Sequence, residues 1–149
     1  MGMSYIFSKF VKKYPEHYIA QTISRIFWPP PTVSVLAYGE HDDVLTLDLS
    51  GSHRLPGGFL EKGEDFREAA RREVKEETGF DVEIRDLLDI RHNESGGPNI
   101  FFEADVTDGE RNSSWEGEVK FVPKDEVKEK VWKLDHSHIH EYLFPEEEE

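Results

Sequence analysis

The chain is organised around one stretch, Gly58 to Phe80, with the sequence GFLEKGEDFREAARREVKEETGF. The part from Asp65 to Thr78 has the length and composition of a helix, and at about 100° per residue its apolar side chains fall on one side. We expect these residues to face the core: Phe66, Ala69, Ala70 and Val74. We expect the following charged residues on the opposite, solvated side: Arg67, Glu68, Arg71, Arg72 and Lys75.

Three glutamates, Glu73, Glu76 and Glu77, depart from this pattern because they continue the inward side in the last turns of the helix. Carboxylates that face the protein repel one another and lose hydration unless a cation neutralises them. Residues at i, i+3 and i+4 lie one turn apart on a helix. The spacing therefore predicts a metal site, and hard divalent cations prefer such oxygen ligands.

Apolar residues on both sides of this helix alternate with polar ones, which is the pattern of β-strands. The predicted strands lie at about residues 33–37, 44–49, 82–90 (one long strand or two short ones), 100–106 and 119–122. A short helix is expected from Pro123 to Val131 or Trp132, and a final helix from His136 to Phe144. Strands on both sides of one central helix predict an α/β fold in which helices cover a mixed sheet.

The chain divides into an N-terminal helical extension with a proline joint (1–31), a main domain (32–145) and an acidic tail (146–149) that we expect to be disordered. Apolar residues at helical spacing in 4–27 predict a helix that acts as a lid or as a homodimer contact. A membrane-surface helix is the alternative, but its polar face is not strongly basic.

The composition excludes several classes of protein. The chain has no cysteine, which excludes disulfides, thiolate zinc sites and cysteine nucleophiles. A net charge of −14 argues against nucleic acid as a partner, since such binding needs lysine and arginine to neutralise phosphates. No apolar stretch has the ~20 residues of a membrane helix. We therefore expect a cytoplasmic protein with no membrane partner.

The central stretch resembles the Nudix box, G-x5-E-x7-R-E-U-x-E-E-x-G-U, in which U is a bulky apolar residue. Its fixed positions are all filled, by Gly58, Glu64, Arg72-Glu73-Val74, Glu76-Glu77 and Gly79-Phe80. The resemblance implies a Nudix-type α/β/α sandwich and a hydrolase that uses Mg²⁺ or Mn²⁺. Such enzymes use water to cleave the diphosphate bond of a nucleoside diphosphate linked to another group. A nucleotide sugar, ADP-ribose or a nucleoside triphosphate is the expected substrate.

A non-catalytic nucleotide sensor with the same fold is the alternative function. Degenerate sensors of this kind usually lose box glutamates, whereas Glu73, Glu76 and Glu77 are all present here. Hydrolysis is therefore the favoured interpretation.

The resemblance also implies roles for single residues. Glu73, Glu76 and Glu77 would hold the metal, and Arg72 would pair with a box glutamate and fix its rotamer. The base that takes a proton from water would be Glu73 or a later glutamate. The later candidates are Glu116 and Glu118, and Glu118 matches the family's placement before the last strand best.

Further residues are expected to bind substrate or to shape the loop. Gly57 and Gly58 allow a close approach of the backbone to the site, and Arg54 and Arg91 are candidate phosphate partners. The residues expected to shape the loop or to end the helix are Gly63, Glu64 and Gly79, of which Glu64 supports the loop or joins the metal ligands.

Overall fold

The structure is a computed structural model that describes residues 30–93, 95–112, 117–127 and 139–143. The predictions for residues 4–27, for the stretch to Val131 or Trp132, for Glu116 and for the tail lie outside these ranges. The homodimer contact and the domain boundaries therefore stay predictions.

The described residues form a seven-stranded sheet with helices packed on it, which confirms the predicted α/β fold with a mixed sheet. The strands are β1 (Thr32–Tyr38), β2 (Asp43–Leu49), β3 (Ser52–Arg54), β4 (Gly57–Phe59), β5 (Phe80–His92), β6 (Pro98–Gly109) and β7 (Glu118–Pro123). The helices are α1 (Phe66–Thr78), a 3₁₀ helix (Lys124–Glu126) and α2 (Ile139–Leu143).

Strand β1 lies at the centre of the sheet, in the order β3-β2-β1-β6-β5. It runs parallel to β6 and antiparallel to β2 and β4, and this combination makes the sheet mixed. Strand β7 pairs with β2. The expected strand over 82–90 is one long strand with bulges, and β3 and β4 are short strands that the alternation pattern did not predict.

Alternate residues of β1 point to opposite faces and supply two separate cores. Val33 and Val35 join the cluster that contains Ala69, Ala70 and Val74 of α1. On the other face, Leu36 joins the cluster that contains Leu143 of α2. Helices therefore cover both faces of the sheet, as in a sandwich.

Helix α1 begins and ends at well-defined caps. Asp65 accepts a hydrogen bond from the backbone N–H of Arg67, and Glu68 completes a capping box. Gly79 ends the helix with φ 84°, a left-handed conformation that favours glycine. Phe66, which we expected in the core, is 39% exposed, because the buried stripe of α1 begins one turn later, at Ala69.

Candidate active site

The candidate active site is a cavity of about 500 Å³ between α1 and the short strands β3 and β4. It is lined by Leu49, Arg54, Gly57, Gly58, Phe59, Glu73 and Glu77. Five of these seven residues were predicted to bind metal or substrate from the sequence alone. The other two, Leu49 and Phe59, are 53% and 57% exposed.

Gly58 brings the backbone of β4 directly against the carboxylate of Glu73. A Cβ at this position would lie 2.6 Å from the Cδ of Glu73 and 2.7 Å from each of its oxygens. A Cβ at Gly57 would lie 2.1 Å from the carbonyl oxygen of Val33. The two glycines therefore allow the cavity wall and the helix to meet where no side chain fits.

Arg72 connects the loop before α1 to the helix itself. Its Nε lies 2.7 Å from Oε1 of Glu64, and its Nη2 lies 3.0 Å from Oε2 of the same carboxylate. Its Nη1 donates to Oε1 of Glu73 at 2.9 Å. The hydrogen bond from Arg72 lowers the pKa of Glu64, and the same bond raises the pKa of Arg72. The predicted pairing of Arg72 with a box glutamate is confirmed.

Two expectations about the sides of α1 are wrong. Glu76, expected to face inward, has a side chain that is 60% exposed, and its Oε2 accepts from Nη1 of Arg72 at 3.2 Å. Glu76 lies about 200° around the helix from buried Val74, whereas Glu77 lies within about 60° of it. Arg72, expected on the solvated side, is only 21% exposed because the loop with Glu64 covers it.

Glu77 is the buried carboxylate of the site, with a side chain that is 4% exposed. Its Oε2 lies 3.1 Å from Nη2 of Arg54, which β3 places beside the cavity. A buried carboxylate is strongly unfavourable without a positive charge next to it. Arg54, predicted as a phosphate partner, supplies that charge in this structure.

The donor chemistry of the site fits a hard divalent cation, since Glu73, Glu76 and Glu77 offer carboxylate oxygens and one of them is buried at the cavity wall. Within the described ranges, however, no three His, Asp or Glu side chains converge closely enough to hold a metal ion. Instead, Glu77 pairs with Arg54, and Glu73 and Glu76 pair with Arg72. The site therefore offers suitable donor atoms, in side-chain directions set by the two arginines.

The structure does not bring Glu118 to the box glutamates. Glu118 begins β7 opposite Asp48, is 67% exposed at its side chain, and lies 3.4 Å from Nζ of Lys120. Val119, the next residue, packs in the core beneath α1, so Glu118 lies on the other face of the sheet.

Arg91 likewise lies outside the cavity lining. Its Nε contacts Oδ2 of Asp89 at 2.6 Å, and its Nη2 contacts Oε2 of Glu141 on α2 at 3.0 Å. Both contacts are with carboxylates, so the phosphate-binding role of Arg91 stays a prediction.

Gly63 and Glu64 shape the loop that leads into α1. Gly63 has φ 82°, and Glu64 accepts a hydrogen bond from the backbone N–H of Glu61 at 3.0 Å through Oε2. The carboxylate of Glu64 thus closes the loop and holds Arg72, which are the contacts of a supporting residue.

Comparison with known proteins shows the class of this chain. The NUDIX domain family profile matches residues 28–146, which include the whole cavity and α1. The chain therefore belongs to the Nudix family, and the predicted identification of a Nudix hydrolase is confirmed at that level.

Individual relatives agree with this assignment. An ADP-ribose pyrophosphatase from Methanocaldococcus jannaschii is 36% identical over 91 residues, which is 54% of each chain. A MutT-like protein from Streptomyces ambofaciens is 32% identical over 120 residues, covering 76% of this chain and 78% of that protein. The chain thus spans only about half of the archaeal relative.

Solved structures share the fold. A NUDIX hydrolase from Nitrosomonas europaea superposes with a TM-score of 0.69 at 24% identity, over 80% of this chain and 72% of that one. At this identity the likeness shows the fold alone. In the part of the chain that the structure describes, no helix has the length and apolarity to cross a membrane. The cytoplasmic location stays a prediction.

Proposed function

We propose that this protein is a metal-dependent pyrophosphohydrolase that cleaves the diphosphate bond of a nucleoside diphosphate linked to another group, by attack of water on phosphorus. The observation that carries the proposal is the buried carboxylate of Glu77 at the wall of a 500 Å³ cavity, within a complete Nudix box. Glu77 and Glu73 both line this cavity, and carboxylate oxygens are the ligands that a hard divalent cation prefers.

Each box residue has a task in this reaction. Glu73, Glu76 and Glu77 would hold Mg²⁺ or Mn²⁺, which when bound lowers the pKa of a water molecule and neutralises charge on the phosphoryl oxygens. Arg72 positions Glu73 and Glu64 through its guanidinium.

Glu73 is the candidate base, because it lies in the cavity lining beside Gly58, whereas Glu118 lies on the other face of the sheet. The backbone at Gly57 and Gly58 lets the diphosphate approach the carboxylates without hindrance from side chains.

The relatives indicate where to begin the search for the substrate. The M. jannaschii relative is named an ADP-ribose pyrophosphatase, so ADP-ribose is the first compound to test. Nucleotide sugars and nucleoside triphosphates follow, because the box specifies the diphosphate chemistry and leaves the linked group open.

The test is a panel of these compounds with Mg²⁺, in which phosphatase treatment of the products releases inorganic phosphate for detection. Glu77→Gln should lower turnover by about a hundred- to a thousandfold, the loss typical of removing one electrostatic group from an active site. Glu83→Gln is the matched control, since Glu83 is exposed on β5. Undiminished turnover in Glu77→Gln would refute the proposal, and binding of nucleotides without any hydrolysis would favour the sensor.

A further inference from the structure

The guanidinium of Arg54 contacts both Glu77 and the backbone of Leu55. Its Nη2 lies 3.1 Å from the buried Oε2 of Glu77, and its Nη1 donates to the carbonyl oxygen of Leu55 at 3.3 Å. The same side chain lines the cavity next to Gly57 and Gly58, where the proposed diphosphate would lie. One guanidinium is therefore within reach of a predicted metal ligand and of the predicted substrate.

Arg72, the other arginine of the site, is bound differently. Its Nε and Nη2 hold both oxygens of Glu64, and Nη2 also donates to the carbonyl oxygen of Phe59 at 3.0 Å. Its Nη1 lies between Glu73 and Glu76. A guanidinium with every edge engaged acts as a fixed part of the scaffold. Arg72 does not line the cavity, whereas Arg54 does.

We propose that Arg54 is a phosphate-binding residue that Glu77 holds until a divalent cation takes the arginine's place. The inference rests on the proposed function, since it requires both a metal ion and a phosphate at this site. A cation bound to Oε2 of Glu77 would repel the guanidinium, which lies 3.1 Å from that oxygen.

The displaced guanidinium remains beside the cavity, where the phosphate group offers a new anionic partner. Arginine binds phosphate oxygens through two parallel hydrogen bonds, a geometry that an ammonium group does not reproduce. The exchange makes metal binding a condition for strong phosphate binding. It also accounts for the direction of the Glu77 carboxylate in this structure, which Arg54 holds.

A simpler role for Arg54 makes the opposite prediction about metal affinity. If Arg54 only holds Glu77 in its rotamer, removing the arginine leaves Glu77 less well oriented and weakens metal binding. If Arg54 competes with the metal for Glu77, removing it strengthens metal binding. The sign of the change therefore decides between the two roles.

The experiment measures Mn²⁺ binding to the full chain by electron paramagnetic resonance of the free ion, without nucleotide. Arg54→Gln should bind Mn²⁺ about tenfold more tightly than the unmodified chain, a typical coupling between residues in direct contact. The second measurement uses α,β-methylene-ADP, which carries carbon in place of the bridging oxygen. In the presence of Mg²⁺, the same variant should bind this nucleotide at least about tenfold more weakly than the unmodified chain does.

Two further variants serve as controls. Arg54→Lys keeps the charge, so its affinity for Mn²⁺ should stay within about twofold of that of the unmodified chain. Its affinity for α,β-methylene-ADP should still fall, because lysine does not reproduce the two parallel hydrogen bonds of arginine. This variant keeps the inference testable if Arg54→Gln does not fold. Arg85→Gln removes an arginine that pairs with Glu103 and Asp105 on the other face of the sheet, so both affinities should stay unchanged. Circular dichroism confirms the folding of each variant.

Weaker or unchanged Mn²⁺ binding by Arg54→Gln would overturn the inference, and so would an unchanged affinity for α,β-methylene-ADP. If Arg54→Gln unfolds, Arg54→Lys with unchanged affinity for the nucleotide would overturn it equally. Failure of the proposed function looks different: the unmodified chain itself would then lack either Mn²⁺ binding or metal-dependent turnover. An unmodified chain that binds Mn²⁺ and hydrolyses nucleotides isolates the failure to Arg54.

Discussion

In the described part of the chain, we compare two clusters of arginine and carboxylate groups that look alike in sequence and differ in their surroundings. The box cluster consists of Arg72 with Glu64, Glu73 and Glu76. The β5 cluster consists of Asp89, Arg91, Glu141 and Tyr142. Each cluster contains an arginine, Arg72 or Arg91, for which the sequence analysis predicted a functional role. Of the two clusters, only the box cluster contributes a residue, Glu73, to the cavity lining.

The β5 cluster has the properties of a structural joint. Two of its hydrogen bonds join β5 to α2, from Arg91 to Glu141 and from Tyr142 to Asp89. The hydrogen bond from Tyr142 is the main cause that lowers the pKa of Asp89 to about 2. The side chains of Arg91 and Glu141 are 41% and 47% exposed, and exposed ion pairs contribute only about 0–1 kcal/mol. This cluster attaches α2 to the sheet.

The box cluster is more buried than the β5 cluster, and the backbone of a glycine, Gly58, lies against it. The side chains of Glu64 and Glu73 are each 13% exposed, and Gly58 touches the carboxylate of Glu73. Paired charges alone therefore do not identify a functional site. The combination of burial, a cavity and a bare backbone beside the carboxylate does.

The largest effect expected at the box cluster follows from the loss of the candidate base. Glu73→Gln should lower kcat by about a hundred- to a thousandfold, because in our proposal it removes both a metal ligand and the proton acceptor. Glu118→Gln is its counterpart on the other face and should change kcat by less than about threefold. A large loss of kcat in Glu118→Gln and a small one in Glu73→Gln would show that Glu118 is the base, and it would contradict the assignment of the active site to the box cluster.

The bare backbone at Gly58 is tested by adding one methyl group. Gly58→Ala would place Cβ 2.6 Å from the Cδ of Glu73, so the carboxylate must move. A displacement of about 1 Å in an active site costs on the order of a hundredfold in rate. Steady-state kinetics should show this loss together with an unchanged fold by circular dichroism. Gly96→Ala, in the loop before β6, is a control with no neighbour within 4 Å, although its φ of 84° adds local strain.

The smallest expected difference in activity is between two arginine-to-lysine variants, one in each cluster. Arg72→Lys keeps the charge but loses the two-pronged contact with Glu64, and it should weaken metal affinity or activity by about ten- to a hundredfold. Arg91→Lys should leave activity within about twofold. Equal losses in the two variants, measured as kcat/KM, would show that Arg91 binds substrate after all.

The central helix could be predicted because its information is local. The apolar spacing of Ala69, Ala70 and Val74 gives the buried side, and the cap at Asp65 and the glycine at Gly79 set its ends. Glu77 follows from the same periodicity. The exposure of Glu76 follows from it as well, since Glu76 lies about 200° around the helix from Val74, and its assignment to the inward side was wrong.

The remainder of the site depends on contacts between residues distant in sequence. The pair of Arg54 and Glu77 joins β3 to α1, and no periodic pattern links the two residues. Strands β3 and β4 have three residues each, too few for alternation to be visible, and glycines fill two positions of β4. The side of the sheet on which Glu118 lies depends on the register of β7 against β2, which the sequence of β7 alone does not determine.

Removal of metal is the decisive test of whether the glutamates of α1 hold a catalytic metal ion. The chain is freed of divalent ions with a chelator, and the rate of hydrolysis of the best compound in the panel is followed as Mg²⁺ is added back. We predict no detectable turnover in chelator and a saturable return of full activity with Mg²⁺, which Glu77→Gln shifts to higher metal concentration or abolishes. Undiminished hydrolysis in chelator would contradict the claim that the glutamates of α1 hold a catalytic metal ion.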